Sequence, residues 1–500
     1  MLNLKNKTLS GLFWSLLGRF GEQGAQFIIS VILARLLLPE DFGIVVMVLV
    51  IIDFCNIVTA HGFSAALIQK AEITEKHIFS SFWMNFVISI ALAAALGMGA
   101  EHIAAWYGDE RITPIVYVLA GSFVLQALIT VPRSVLEKEL AFKKIVVAET
   151  GGIVVSGATA IFMALHDFGY WSLIVQRVIL GTSSSVFVWI AARFFPRLIF
   201  DWAAVKELMQ FSLNNLGSIM LAFWSDNIEK MMIGKSIGSA SVGIYNRALN
   251  QMQLATSQID TVLLRVMFPV LSSIQDEKER VKQIYLEAIG AITMIASPMM
   301  LGLLVSAKPF IVGVYGPNWA PAVPVLQILC LAGLLISINN TAKWIFMSQG
   351  RADWMLRWGL VSSFVLIAAK IIGASQGSVI WVAVAFVVGY FLVFYPGITI
   401  AGRLIGMNFT EVIVAAAGPF WCSLIMALLV WGMDTLIPDT VPHLLVLGLN
   451  MTLGAFSYIA MLHLFRIKAY LRIRNLLVER LKARGKQPDT PGQDEEEKQP

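Results

Sequence analysis

The chain has 500 residues, of which 57% are hydrophobic and only 14% charged, against the roughly 25% charged residues of an ordinary soluble globular chain. That balance excludes a water-soluble enzyme or scaffold. Apolar runs near or above the ~20 residues that cross a ~30 Å hydrocarbon core recur along almost the whole length, so the chain reads as a polytopic membrane protein. The formal charge of +5 does not indicate a nucleic-acid binder, because the basic residues form no patch on a soluble face and accompany no recognition motif.

Lys5 and Lys7 precede the first apolar run in the manner of a secretory leader. That run, however, meets Arg19, Glu22 and Gln23 and is followed by more spans, so it reads as a retained first helix. About fourteen helices are expected, beginning roughly at residues 11, 42, 79, 112, 145, 170, 208, 241, 284, 322, 355, 378, 412 and 443. An even count puts both termini on one side. Of the 37 Lys and Arg residues, about 26 fall on that side, about 5 on the other and about 6 within spans, which places both termini in the cytoplasm. The stretches PRSVLEKELAFKK (132–144), RFFPRLIFDWAAVK (193–206) and QDEKERVK (275–282) read as basic cytoplasmic loops. Cys55, Cys330 and Cys422 lie far apart in apolar runs and read as small buried hydrophobes, not as a disulfide framework or metal site. Beyond Leu464, RIKAYLRIRNLLVERLKARGK (466–486) suits a helix on an anionic leaflet or a plain topology anchor. The final QPDTPGQDEEEKQP is Pro-rich and acidic and is expected to be disordered.

Ionisable side chains inside spans cost about 2.5–3.5 kcal/mol on insertion scales, so each is a functional candidate. On the first helix Arg19 and Glu22 are spaced i, i+3, with Gln23 and Gln26 continuing the polar face; they line a cavity or form a neutral pair within a lobe. Asp53 and Asn56 follow one turn apart on the second helix, as ion-coupling residues or an interhelical contact. Arg177 and Arg247 lie about two turns inside the non-cytoplasmic ends of the sixth and eighth helices, where bidentate contact with phosphate suits a guanidinium. Arg265 is nearer the cytoplasm, where snorkelling also accounts for it. Asp226 and Asp260 join Glu22 and Asp53 as ion-coupling candidates. Lys343, in NNTAKW (339–344), is placed on the cytoplasmic half of the tenth helix, and Lys370 near the opposite end of the eleventh, snorkelling. Trp14, Trp224 and Trp344 either stack on sugars or pack.

The chain also resembles itself. ILARLLLPEDFGIV (32–45) aligns with MIGKSIGSASVGIY (232–245), matching Arg35 with Lys235 and Gly43 with Gly243. YGDERITPIVYVL (107–119) aligns with YGPNWAPAVPVLQIL (315–329), matching Tyr107–Gly108 with Tyr315–Gly316. Two matches at nearly one offset imply an N-lobe of six helices (1–200) and a C-lobe of six (201–410) about a pseudo-two-fold axis along the membrane normal. Two further helices (411–466) and a tail (467–500) lie outside the repeat. Facing lobes of this kind suit alternating access.

These residues resemble a family: the polysaccharide transporters of the multidrug/oligosaccharidyl-lipid/polysaccharide exporter superfamily, especially the colanic-acid-exporter type. The stretches carrying the resemblance are LARLLLPEDFGIV (33–45), GFSAALIQKAEIT (62–74), LEKELAFKK (136–144), GIYNRA (243–248), LLRVMFPVLSSIQDEKER (263–280) and GPNWAPAVPVLQILCLAGLL (316–335), in an order that covers roughly residues 5 to 350. The resemblance implies an all-α flippase of a bacterial inner membrane. Its implied cargo is an undecaprenyl-diphosphate-linked oligosaccharide for O-antigen or exopolysaccharide, and its implied neighbours are membrane lipids, a glycan polymerase and export machinery. No Walker A loop, GxGxxG, HExxH or GxSxG occurs, so no ATPase, hydrolytic or redox site, metal or cofactor is expected. Two alternatives remain open: an ion-coupled drug or metabolite antiporter of the same superfamily, and a membrane glycan polymerase or ligase. The Arg-rich spans lean against the first and the short non-cytoplasmic loops against the second.

Overall fold

A computed structural model describes the backbone of residues 2–62, 67, 70, 73–438, 440–467, 469–472 and 474. It describes the side chains of these except at 2–17, 19, 58, 60–62, 126, 210–216, 218, 255 and 257–266. The described residues are helical with short connections, as a bilayer requires when every backbone polar group must be satisfied within its own segment. The elements are α1 (Leu2–Leu36), α2 (Pro39–Gly62), α3 (Glu75–Tyr107), α4 (Ile112–Lys138), α5 (Phe142–Leu165), α6 (Trp171–Ala192), α7 (Trp202–Ser236) and α8 (Ser239–Ser273). They continue with α9 (Lys278–Val305), α10a (Ala322–Asn339), α10b (Ala342–Ser348), α11 (Ala352–Ser375), α12 (Val379–Arg403), α13 (Phe409–Leu436) and α14 (His443–Leu464). Short helical turns over 307–319 join α9 to α10a.

The helix starts agree with the expected ones to within several residues, apart from α1, which begins at Leu2. The stretch 132–144, read above as a loop, is helical as far as Lys138. Pro132 sits inside α4 without ending it, and this brings Arg133 into the bundle. Among the described residues ten helices, α3–α6 and α9–α14 with α10a and α10b taken together, are long and apolar enough to cross a membrane.

Starts are set locally. Thr74 and His77 form a capping box at α3, Asn408 and Glu411 form another at α13, and the Asp201 carboxylate accepts from Ala203 N at 2.9 Å to open α7.

Neighbour relations repeat with a shift of six helices. α1 packs on α5, α2 and α3 on α4, α4 on α6, and α5 on α6; correspondingly α7 packs on α11, α8 and α9 on α10a, α10a on α12, and α11 on α12. Helix α2 bridges the two groups by packing on both α7 and α8, while α13 rests on α9 and carries α14.

One end of the bundle, where α1 finishes and α2 begins, is the distal end; α1 starts and α14 finishes toward the other. There the two groups meet reciprocally. A Cβ built on Gly43 would overlap the Ser239 carbonyl, and one built on Gly243 would overlap the Pro39 carbonyl, so each glycine admits the backbone 200 residues from its own turn. Arg35 donates to the carbonyls of Val314 (2.9 Å) and Gly313, while Lys235 donates to the Trp106 carbonyl and lies 5.4 Å from that indole. Each cation thus caps the segment leading into the other group's Tyr–Gly turn. Gly108 and Gly316 hold φ of +75° and +101°, a region that favours glycine.

The largest apolar core lies at this distal end, joining α1, α2, α8, α10a and the 307–319 connector around Tyr315 and Trp319. A second core, nearer the opposite end, encloses Tyr285 and Trp344. Trp344 is fully buried there, so it is a packing tryptophan and the sugar-stacking reading for it is withdrawn.

Candidate functional site

Below the distal core, α1, α7, α8, α11 and α12 enclose a polar cavity of about 640 Å³. Gln23, Gln26 and Ser30 come from α1, Asp226 and Glu229 from α7, Arg247 and Gln251 from α8, and Lys370 from α11. Gln26 also lines a second polar cavity of about 340 Å³, with Glu22, Arg133, Glu149 and Arg177. On the other side, Phe27, Gln251 and Leu254 pass from the first cavity into an apolar groove of about 570 Å³. Met299 and Gly302 of α9, Met426 and Val430 of α13, and Leu447, Met451 and Gly454 of α14 wall that groove. The site is therefore a charged chamber with a greasy side arm. Helices α13 and α14, which stand outside the six-helix repeat, form much of the arm.

Arg247 is the cation at the top of the chamber. Its guanidinium lies 4.6, 4.7 and 4.8 Å from the ring centres of Phe42, Tyr315 and Trp319, and Nη1 donates to Ser30 Oγ at 2.5 Å. The Trp319 indole is fixed by donation to the Ala34 carbonyl at 2.8 Å. Among the described residues no carboxylate pairs with Arg247, which is 7% exposed, so three ring faces supply its compensation in place of a counter-ion.

Arg177 differs. Its Nη2 donates to Asp53 Oδ1 at 3.1 Å, and Asn56 Nδ2 lies 3.3 Å from the same oxygen. Asp53 is thus the partner that Arg177 lacked on its own helix. Arg133 pairs with Glu137 at 3.1 Å and Glu149 at 3.2 Å.

Lys370 is the clear correction. Its placement near a helix end suggested snorkelling, yet it is 1% exposed and its Nζ lies 3.0 Å from Glu229 Oε2. The cavity wall gives the buried ammonium a partner on a different helix.

Glu22 lines the second cavity and Asp226 the first. Lys343 is half-buried outside both. Trp224 packs on Phe54, with ring centres 5.0 Å apart. The side chains of Trp14, Arg19, Asp260 and Arg265 lie outside the described residues.

The sequence reading missed Arg133, Glu149 and Glu229. For Glu229 a signal existed, since Asp226, Glu229 and Lys230 recur at helical spacing on one span. Nothing local marked Arg133, because Pro132 argued for a loop.

Comparison with known proteins adds independent findings. A family model described as polysaccharide biosynthesis protein matches residues 32–324. The lipopolysaccharide biosynthesis protein WzxC of Escherichia coli (strain K12) is 26% identical over 438 residues, 85% of this chain and 87% of that one. The succinoglycan biosynthesis transport protein ExoT of Rhizobium meliloti (strain 1021) is 26% identical over 83% of this chain and 84% of its own. In fold, the chain is similar to lipid II flippase MurJ in an inward closed conformation, with a TM-score of 0.73 at 14% identity over 91% of this chain and 98% of that one. It is also similar to an inward-facing multidrug resistance transporter of the MATE family, with a TM-score of 0.61 at 14% identity over 77% and 96%.

Proposed function

The chain belongs to the polysaccharide biosynthesis protein family, and on that premise we propose that it carries an undecaprenyl-diphosphate-linked oligosaccharide from the cytoplasmic to the periplasmic leaflet of a bacterial inner membrane. It is a carrier, not an enzyme. The observation that supports this most is the continuity of a polar chamber holding Arg247, which no carboxylate pairs among the described residues, with an apolar groove, through Phe27, Gln251 and Leu254. A cargo in which a diphosphate joins a glycan to a long polyprenyl tail has a polar, anionic part for the chamber and an apolar part for the groove. The diphosphate finds a guanidinium in a low-dielectric chamber, where charge-assisted hydrogen bonds are strong. The glycan finds Gln23, Gln26 and Gln251, and the tail finds Met and Leu side chains.

Movement follows from two lobes, residues 1–200 and 201–410. The six-helix shift in neighbour relations and the reciprocal Gly43–Gly243 contact support a two-fold between them. With the distal end held shut by Arg35 and Lys235, the chamber is reached from the cytoplasm, and rocking of the lobes exposes it to the periplasm. In this reading α1, α2, α7 and α8 also cross the bilayer, making fourteen spans with both termini cytoplasmic. A reporter fused after Lys486 and active only in the periplasm would overturn that topology. The delivered cargo then passes to a glycan polymerase and the export machinery.

The test is substitution at Arg247 at matched membrane abundance. We expect Arg247→Ala to abolish glycan export and to accumulate complete lipid-linked units on the cytoplasmic leaflet, with Arg247→Lys restoring part of it, because charge survives while planar stacking and bidentate contact do not. Full export by the Ala variant rejects the cargo role, and periplasmic accumulation of unpolymerised units favours a polymerase instead.

A further inference from the structure

One wall of the chamber carries charges that an anionic cargo does not explain. Glu229 on α7 and Lys370 on α11 are 0% and 1% exposed, with Nζ and Oε2 3.0 Å apart. The ammonium also donates to the Ser225 carbonyl and lies 5.0 Å from the Phe386 ring centre, so a single lysine ties together α7, α11 and α12. Glu229 is less well served. Among the described residues Oε2 is held by Lys370 alone and Oε1 has no hydrogen-bond partner, and the buried Tyr245 hydroxyl of α8, close to that carboxylate, has none either. An ion pair taken out of water is well compensated only when further hydrogen bonds complete it, and here one carboxylate oxygen and a phenol are left open at a cavity wall.

The groups around the pair are few. Asp226 and Lys230 of α7 stand beside it, and Lys230 Nζ donates to Asn227 at 2.9 Å. Helix α2 contributes Asp53, which is held by Arg177 of α6, and α12 contributes Tyr390. Helix α3, which also packs on α7, keeps Lys76 and His77 at the far end, against Asp201 and Glu207. Asp226, Glu229, Lys230 and Lys370 therefore balance to zero charge. A metal cation entering this cluster would stand against the Lys370 ammonium, whereas a proton needs no coordination space and has an open carboxylate oxygen to take it.

We propose that Glu229 is a proton-exchange site and that its pairing with Lys370 couples proton movement to movement of the lobes. This rests on the carrier reading above. The Glu229 carboxylate takes a proton from water, forming an O–H bond and leaving the cluster with one excess positive charge that drives Lys370 off its partner. Return of the ammonium expels the proton to water on the other side. The state described here, with the pair formed and the distal end shut, is the one that has given up its proton. The chamber thus holds two functions on opposite walls, with Arg247 facing the cargo and Glu229 the driving ion.

The experiment uses the full-length protein in vesicles that contain undecaprenyl diphosphate, an entrapped pH-sensitive dye and an imposed membrane potential. Proton entry and leaflet exchange of the lipid are measured together for the wild type, Glu229→Gln and the uncharged double variant Glu229→Gln/Lys370→Met. The double variant removes both charges at once and so avoids leaving one buried and unpaired. We expect proton entry in the wild type, unaffected by a sodium gradient, and entry at the level of protein-free vesicles in both variants. A double variant with an unchanged melting temperature that admits protons at the wild-type rate overturns the proposal, as does sodium-dependent exchange without proton entry. Lipid exchange without any proton entry sinks the coupling site and leaves the carrier reading standing. Proton entry without lipid exchange does the reverse.

Discussion

Arg247 and Lys370 illustrate how little a residue's position along a span says about its role. Both are cations several residues from a helix end, yet one is boxed by three rings from α2 and the 307–319 connector and the other is paired with a carboxylate seven residues before the end of α7. Only partner helices distinguish them. Outside the spans a charged group also finds partners close in sequence. In the α3–α4 turn Asp109 receives Arg111 Nε at 3.0 Å, and Arg111 Nη2 also reaches Glu40 at 2.6 Å. The hydrogen bonds from Arg111 hold the Asp109 carboxyl below its ordinary range. A folded value below the unfolded one means that the contribution is present above the unfolded value near 3.9 and is lost as pH falls through the lower, folded one. The pair is partly exposed and its worth is screened to no more than about 1 kcal/mol. In detergent, the melting temperature of wild type should exceed that of Asp109→Asn at neutral pH, and the gap should close on acidification below about pH 4. A gap independent of pH would assign the difference to packing.

Among elements, the distal ends of α2 and α8 meet backbone to backbone at Gly43 and Gly243. Because a Cβ at Gly43 or Gly243 would overlap a backbone carbonyl of the opposite helix, neither neighbour can yield by a rotamer change, and the helices must separate. Overpacking of this kind costs about 1–3 kcal/mol. In the alternating-access reading proposed above the contact belongs to the distal-closed state, so Gly43→Ala and Gly243→Ala are expected to shift the population toward a distal-open one. The readout is labelling by an impermeant thiol reagent at Ser239→Cys, which should rise in Gly43→Ala. Unchanged labelling together with loss of folded protein would mean that the contact serves stability alone. The match of Gly43 to Gly243 was legible as a repeat, but not that the repeated glycines touch each other. A sequence records the copies and leaves their relative placement to the packing of α2.

For the whole molecule, the side arm formed with α13 and α14 is the feature that suits a long apolar tail. Gly454 faces it, and a Cβ there meets Val430 only at ordinary van der Waals distance of 3.6 Å, so a large side chain would fill the groove without breaking the fold. Gly454→Trp should lower glycan export by about tenfold, equivalent to ~1.4 kcal/mol of cargo binding. Phe456→Trp, at a side chain 77% exposed on the outer face of the same helix, should leave export unchanged. Equal effects from both substitutions would show that α14 matters for folding and not as a tail site.

By itself the sequence determined the all-helical membrane architecture and most of the helix starts, because each is written in local quantities: apolar run length and capping residues. It also marked Glu22, Asp226 and Arg247 as costly residues within spans. Only the tertiary structure decided which of these costs are met and by what. Asp53 answers Arg177 across 124 positions, Lys370 answers Glu229 from a helix end where snorkelling was expected, and Arg247 is met by rings that local spacing did not bring together. Pro132 was a loop signal until neighbouring helices held α4 through it. The reason is common to all four: inside a bilayer, the free energy of a charged or strained group is set by whatever lies within a few ångströms, and those neighbours come from distant parts of the chain.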